Sequence, residues 1–178
     1  MLKNNVLNLV DLLVQRYPAL ACVKTSLIDT CSTIVQAYQN NGTFFVCGNG
    51  GSACDGEHIT GELLKCFCNK RKMPEELKQR FADILGEENI ADQLEMGFRA
   101  ISLNNHPGVS SAYINDRDPL MVYAQQLFAL GRKGDVLMGI STSGNAKNIY
   151  NAFKTAKVMG ITTVLLTGEK CGICEKFD

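Results

Sequence analysis

Two side chains with acid–base character are predicted to share one face of a helix. His58 and Glu62 are four residues apart, and side chains at this spacing project from the same side of an α-helix. An imidazole and a carboxylate placed in this way can hold one divalent metal ion or act as an acid–base pair. The same spacing is common in surface hydrogen bonds, so the pair indicates catalysis only if a binding site lies beside it.

A glycine-rich turn precedes this helix and is a candidate for that binding site. Residues 43–47 (TFFVC) predict a strand, residues 48–52 (GNGGS, the first turn) follow it, and helical character resumes over about 53–68. This order places backbone N–H groups and the positive end of the helix dipole around a small anion. We expect Ser52 to cap the helix, with either its hydroxyl or the Asn49 amide facing the ligand. The alternative is an ordinary tight turn.

The same arrangement recurs later in the chain. Residues 135–140 (DVLMGI) predict a strand, residues 141–145 (STSGN) form the second turn, and a helix is expected over about 146–159. The second turn has three hydroxyl groups and no lysine, so it fits neither the P-loop nor the dinucleotide-binding fingerprint. Its hydroxyl groups suit a sugar phosphate better than a nucleotide. His58 lies about 9 Å along the helix from the first turn, a distance that suits the reacting end of such a ligand.

These two units belong to a chain in which helices and strands alternate. Apolar residues at helical spacing predict helices over 5–17 and about 19–40, with Pro18 as the break between them. The other predicted elements are strands at about 98–103 and 161–166 and a helix at 119–130. Alternation of this kind predicts an α/β fold with a doubly wound parallel sheet and right-handed crossovers.

Two segments do not fit this alternation. Residues 69–96 are rich in charge and include an amphipathic helix over 74–85, so we expect an insertion at about 70–95. The insertion is either a solvated excursion or a lid or subunit contact. After residue 166 a short polar stretch reaches Asp178 without a closing helix, from which we expect that a C-terminal segment is missing.

Length and composition exclude several classes of protein. A chain of 178 residues predicts one domain over 1–178, with N-terminal helices over 1–41 and an α/β core over 42–178. The 18 basic and 18 acidic side chains cancel, so nucleic acid is not an expected partner. No apolar run reaches the roughly 18 residues of a membrane span and no secretory signal is visible, so we expect a cytoplasmic protein.

The eight cysteines are predicted to be reduced thiols, because most of them fall inside predicted helices and strands. Cys66 with Cys68 and Cys171 with Cys174 could instead form one four-sulfur zinc site, although about 100 residues separate the two pairs. The simpler alternative is that these thiols fill apolar space.

Taken together and in this order, the motifs resemble the sugar isomerase (SIS) domain family, and within it the isomerases of sedoheptulose 7-phosphate. The motifs are the first turn, His58 with Glu62, Asn115-Asp116, residues 134–137 (GDVL) and the second turn. The resemblance extends from about residue 30 to Gly168 and is interrupted by the insertion.

The resemblance implies a flavodoxin-like subunit in a homotetramer, with active sites at subunit interfaces. The implied reaction converts sedoheptulose 7-phosphate to a D-glycero-D-manno-heptose 7-phosphate. Zinc is the implied cofactor, with His58 and Glu62 among its ligands and Glu62 also the catalytic base. The implied substrate contacts are Asn49, Gly50, Gly51, Ser52, Glu62, Asn115, Asp116, Ser141, Thr142 and Ser143. Such a reaction moves a proton through an enediolate, and it needs a carboxylate base and an electrophile, which Glu62 and a metal would supply.

Three features depart from the family pattern. Ala146 stands where the family has a further serine, which removes one hydroxyl from the phosphate site. The family's remaining metal ligands, a glutamine and a histidine, lie on a C-terminal helix that residues 1–178 do not include. The insertion is the third departure.

Two non-enzymatic alternatives remain open at this point. Replication-initiator-associating SIS proteins share the first turn but have an arginine where this chain has Ser143, which argues against that role. A regulatory sensor would bind the sugar phosphate without turnover.

Overall fold

A four-stranded parallel sheet forms the centre of the computed structural model, which describes residues 2–86 and 90–177. Its strands are β1 (Phe44–Gly48), β2 (Ala100–Ser102), β3 (Val136–Ser141) and β4 (Thr162–Thr167), in the order β2-β1-β3-β4. The chain enters the sheet in the middle, proceeds to one edge and then crosses to the other side. The strand order therefore reverses between β1 and β3, and the predicted doubly wound α/β fold is confirmed.

Helices cover both faces of the sheet. The α-helices are α1 (Asn4–Arg16), α2 (Lys24–Gln39), α3 (Gly51–Leu64), α4 (Glu75–Leu85), α5 (Pro107–Asp116), α6 (Val122–Leu130) and α7 (Lys147–Met159). Helices α2 and α3 pack on the face that carries Phe44 and Val46, and α6 and α7 pack on the face that carries Phe45 and Leu137. No helix in the described chain has the length and hydropathy needed to cross a membrane.

Glycine lets α7 approach β3 closely. A Cβ atom at Gly139 would lie 2.5 Å from Cγ2 of Ile149 and 2.8 Å from the ring of Phe153, both on α7. Such distances are shorter than any van der Waals contact, so a larger residue here would push α7 away from the sheet. The close approach fixes where the start of α7 lies relative to the end of β3.

Asp135 links the starts of the two central strands. Its carboxylate is buried and accepts hydrogen bonds from the N–H of Thr43 to Oδ1 and from the N–H of Arg132 to Oδ2, both at 2.7 Å. The residues that follow pair in parallel register, from Phe44 with Val136 through to the last residues of β1. The carboxylate thus satisfies two backbone donors at the point where this pairing begins.

Three elements differ from the sequence predictions. Helix α3 ends at Leu64 rather than near residue 68, because Lys65 is extended and the guanidinium of Arg71 donates to the carbonyl of Leu63 at 2.9 Å. Helix α5 was not predicted, since its apolar residues lack helical periodicity. Residues 18–23 form a 3-10 helix instead of the first turns of α2.

The insertion contains the predicted amphipathic helix, α4. The two ends of the insertion are joined beside the end of α3. The N–H of Met96 donates to the carbonyl of Arg71 at 3.0 Å, and the N–H of Cys66 donates to the carboxylate of Glu95 at 3.0 Å. Ile84 on α4 is 77% exposed. Residues 87–89 of the insertion lie outside the described residues.

The last described residues fold back onto α7, where the sequence predicts only a short polar stretch without a closing helix. A 3-10 helix over Ile173–Phe177 packs on α7, with Cys174 buried and the ring of Phe177 against that of Tyr150. On the opposite face of β4, Leu166 is half exposed.

The cysteines are free thiols, as predicted. Burial raises the pKa of Cys47, whose side chain lies in the core between β1 and α6. The alternative four-sulfur zinc site is not formed, because residues 2–86 and 90–177 contain no cluster of three or more metal-binding side chains.

We predict that Asp135→Ala lowers the free energy of unfolding by about 2 to 3 kcal/mol, because it leaves two backbone donors without a charged acceptor. Urea denaturation measures this as a lower midpoint with an unchanged slope. Asp29→Ala, at an exposed position on α2, is the matched control and should change the value by less than about 0.5 kcal/mol. Equal midpoints for the two variants would contradict the role given to Asp135.

Candidate active site

The first turn joins β1 to α3 through glycine conformations. A Cβ atom at Gly48 would lie 2.4 Å from the carbonyl oxygen of Ser52, so the end of the strand packs directly on the start of the helix. Gly50 has φ 56° and ψ −123°, which residues with a side chain rarely adopt. The N–H groups of Gly50 and Gly51 have no hydrogen-bond partner within the described chain. These donors and the helix dipole make the first turn suitable for an anion.

Ser52 does not cap α3, contrary to the sequence prediction. The helix begins at Gly51 with Gly50 as its N-cap, so Ser52 is already the second helical residue and its hydroxyl forms no capping hydrogen bond. The early start follows from the conformation of Gly50, which turns the chain into the helix sooner than a serine cap would. Contact between Ser52 and substrate stays a prediction.

The second turn joins β3 to α7 in a similar way. Ser141 is buried, whereas Thr142 and Ser143 are exposed, and the turn closes through a 3.0 Å bond from the N–H of Gly144 to the carbonyl of Ser141. The hydroxyl of Ser143 accepts from the N–H of Asn145 at 3.3 Å. The turn therefore presents two exposed hydroxyls beside the start of a helix, which is the arrangement predicted for a phosphate site.

Residues 168–174 pack over the second turn. The N–H of Gly168 donates to the backbone carbonyl of Thr142 at 3.1 Å, and the N–H of Cys174 donates to that of Gly144 at 3.0 Å. The N–H of Ile173 donates to Oδ1 of Asn145 at 3.1 Å. Gly144 has φ 64°, and a Cβ there would lie 1.7 Å from the carbonyl oxygen of residue 171. This backbone packing holds the second turn in one conformation.

Three side chains that were not among the predicted site residues, Asn104, Tyr123 and Asn148, hold the first turn in place. The carboxamides of Asn49 and Asn148 form a reciprocal pair, with Nδ2 of Asn49 donating to Oδ1 of Asn148 at 3.0 Å and Nδ2 of Asn148 donating to Oδ1 of Asn49 at 2.8 Å. Asn104 donates to the carbonyl of Gly48 at 2.9 Å, and the hydroxyl of Tyr123 donates to the same carbonyl at 2.5 Å. The first turn is therefore tied to β2, α6 and α7.

His58 and Glu62 lie on α3 as predicted and face one another. Nε2 of His58 is 3.7 Å from Oε1 of Glu62, and the imidazole is 78% exposed. The Glu62 side chain is 34% exposed, and its Oε2 is buried with no hydrogen-bond partner in the described chain. A buried carboxylate oxygen without a partner is unfavourable unless it serves a ligand, a metal ion or a proton.

Asn115 and Asp116 bond to one another rather than to the two turns. They occupy the end of α5, where Nδ2 of Asn115 donates to Oδ1 of Asp116 at 2.9 Å, and both are exposed. Neither side chain bonds to the first or second turn within residues 2–86 and 90–177. Their contact with substrate stays a prediction.

Asn104, Tyr123 and Asn148 could have been found only in part from the sequence. Asn104 follows a predicted strand, and polar residues after parallel strands tend to line the ligand crevice. Tyr123 and Asn148 lie inside predicted helices, where nothing in the sequence shows which way they point.

Comparison with known proteins identifies relatives of this chain. A family model described as the SIS domain matches residues 75–168. A phosphoheptose isomerase of Helicobacter pylori (strain P12) is 34% identical over 154 residues, which cover 86% of this chain and 68% of the relative. A phosphoheptose isomerase of Clostridium acetobutylicum is 36% identical over 139 residues, which cover 78% and 59% of the two chains. This chain therefore spans between 59% and 68% of the length of these two curated relatives.

Solved structures show the same fold. The phosphoheptose isomerase GmhA from Neisseria gonorrhoeae superposes with a TM-score of 0.67 at 26% identity, over 97% of this chain and 74% of that one. A phosphoheptose isomerase from Francisella tularensis gives a TM-score of 0.67 at 23% identity, over 94% and 79% of the two chains.

We predict that alanine is tolerated at Gly51 but not at Gly50. A Cβ meets nothing within 4 Å at either position, so only the positive φ of Gly50 distinguishes them. Gly50→Ala should lower the free energy of unfolding by about 1 to 3 kcal/mol. Gly51→Ala should change it by less than about 1 kcal/mol. Thermal unfolding of the two variants measures the difference, and equal stability would contradict the assigned turn conformation.

Proposed function

Because this chain belongs to the SIS domain family, in its phosphoheptose isomerase branch, we propose that it interconverts an aldose and a ketose sugar phosphate. The proposed substrate is sedoheptulose 7-phosphate and the product a D-glycero-D-manno-heptose 7-phosphate. The observation that carries the proposal is the buried Oε2 of Glu62, which has no hydrogen-bond partner in the described chain. A carboxylate with one uncommitted oxygen is the group that this reaction requires as its base.

The two turns would bind the phosphate. They lie at the carboxyl ends of β1 and β3, where the strand order reverses, which is where doubly wound folds bind their ligands. The N–H groups of Gly50 and Gly51 and the hydroxyls of Thr142 and Ser143 supply donors without a lysine or arginine. Phosphate binding remote from the reacting carbons contributes positioning rather than chemistry.

Glu62 would carry the proton between the two reacting carbons. Its Oε2 would remove a proton from one carbon and return it to the neighbouring carbon of the enediolate. Burial of that oxygen keeps water away from the proton in transit. Asn115 and Asp116 are the proposed contacts to substrate hydroxyls, since their side chains are exposed at the end of α5.

Zinc is the proposed cofactor. His58 and Glu62 fit two of its ligands, because Nε2 of His58 and Oε1 of Glu62 are 3.7 Å apart, which leaves Oε2 for the base. When bound, a zinc ion would supply a Lewis acid for the developing oxyanion. No third ligand lies beside this pair in the described chain, so further ligands would have to come from elsewhere.

The proposed assembly is a homotetramer whose active sites are shared between subunits. Glu62 lies eleven residues beyond Gly51, which is about 16 Å along α3 and longer than the carbon chain of a heptose. This separation favours a phosphate site and a base contributed by different subunits. Exposed apolar side chains support association: Leu9, Leu12, Val35 and Phe128 are 64%, 39%, 42% and 66% exposed. The cytoplasmic location stays a prediction.

We predict that Glu62→Gln abolishes proton exchange at C1 of the ketose. Incubation of sedoheptulose 7-phosphate with the protein and zinc in deuterated water, followed by NMR, measures this exchange, which should fall by about 10²- to 10⁴-fold. Glu57→Gln removes an exposed carboxylate from the same helix and should leave exchange unchanged. Binding of sugar phosphate without exchange in the wild type would overturn the proposed enzyme and indicate a sensor.

We predict that zinc bound after gel filtration depends on His58. Metal content measured by mass spectrometry should fall to background in His58→Ala and stay at the wild-type level in His106→Ala. The second variant is a matched control, since the chain has two histidines and His106 lies at the start of α5. Equal metal content in both variants would exclude His58 as a ligand.

A further inference from the structure

The reciprocal Asn49–Asn148 pair leaves few hydrogen-bond donors and acceptors free on either carboxamide. Oδ1 of Asn148 accepts from Nδ2 of Asn49 and also from the N–H of Ile149, both at 3.0 Å. The Asn148 side chain is therefore held by the backbone of its own helix while it bonds to the first turn. Its rotamer is fixed at the start of α7, beside the second turn.

Tyr123 restricts the other side of Asn49. Its hydroxyl has one proton, which is directed to the carbonyl of Gly48 at 2.5 Å, and it accepts from Asn104 at 2.8 Å. Burial raises the pKa of Tyr123, so the hydroxyl stays protonated. The oxygen of Tyr123 lies 3.2 Å from Oδ1 of Asn49 and blocks one approach to it.

The acceptor of Asn49 is thus enclosed by Asn148 and Tyr123, whereas its Nδ2 uses one of its two protons. The second proton is the group that Asn49 can offer to a ligand. An anionic or hydroxyl oxygen would accept from it, whereas the enclosed Oδ1 is not available to a donor.

We infer that Asn148 is a positioning residue, which turns the Asn49 carboxamide so that it presents an N–H donor to the substrate and couples the first turn to the second. The inference rests on the proposed function for the identity of the substrate, because Asn49 is a proposed substrate contact. Asn148 itself does not need to touch the ligand. The pair lies near the surface, so its effect is on orientation more than on folding.

Two substitutions at this position separate orientation from folding. Asn148→Asp keeps an acceptor for Ile149 and places a negative charge at a helix N-terminus, which favours α7. It removes the donor to Asn49 and brings a like charge towards the phosphate. Asn148→Ala removes the pair without adding a charge.

The experiment measures KM and kcat for sedoheptulose 7-phosphate together with the melting temperature. We expect KM to rise about three- to tenfold in Asn148→Ala and more than tenfold in Asn148→Asp, with kcat within about twofold of the wild type. Asn151→Ala is the matched control, since Asn151 lies on the same helix and bonds to the carbonyl of Leu120 outside the site. A purely structural role would instead lower the melting temperature and kcat with KM unchanged, and that result would overturn the inference.

A second measurement does not depend on turnover. In protein labelled with ¹⁵N-asparagine, the side-chain NH₂ signals of Asn49 should show one proton protected from exchange in the wild type and in Asn151→Ala, and none in Asn148→Ala. Calorimetric binding of sedoheptulose 7-phosphate should weaken by the same factor as KM. If the proton protection and the weakened binding are both observed but no turnover is detected, the proposed reaction is refuted and the positioning role of Asn148 is not. Unprotected Asn49 protons in the wild type would refute the positioning role.

Discussion

The buried carboxylate of Asp135 is the interaction on which the site depends. It bonds to the backbone immediately before β1 and near the start of β3, so the two central strands begin their pairing together. Parallel register then carries this alignment to the other end, where Gly48 pairs with Ile140. Each turn starts where its strand ends. The pairing fixed at the amino ends of β1 and β3 therefore determines how the two turns are positioned relative to each other at the carboxyl ends.

Close backbone packing converts this alignment into a binding site. Gly48 and Gly139 bring α3 and α7 against their strands, on opposite faces of the sheet. The N-termini of these two helices therefore lie at the carboxyl ends of β1 and β3, between which the strand order reverses. The carboxamides of Asn49 and Asn148 then join the first turn to the start of α7, which follows the second turn. The proposed phosphate site would therefore depend on backbone geometry and neutral side chains, since both turns lack lysine.

Sequence reasoning predicted the parts of this structure that follow from local pattern. The strands β1, β3 and β4, the helix α7 and both turns are strongly patterned, and their places agree with the structure to within about two residues. Helix α5 has no such pattern, and the end of α3 is decided by Arg71, whose guanidinium folds back onto the carbonyl of Leu63 eight residues earlier, a contact that no hydrophobic pattern indicates. The same limit applies to the site: residue types identify His58 and Glu62, but the link between Asn49 and Asn148 spans 99 positions and depends on the tertiary fold.

The attachment of the insertion has a consequence for how the chain tolerates change. Arg71 donates to the carbonyl of Leu63 and to that of Met96, and Met96 returns a bond to Arg71, so the loop is closed at its base before α4 begins. Closing a longer or shorter loop on such a base costs little extra entropy. Within this loop Met73 and Ala91 are buried, whereas α4 carries the exposed Ile84, so α4 is the part of the loop that can change without displacing the helix that carries Glu62. Substitutions on the exposed face of α4 should therefore leave the backbone of α3 in place.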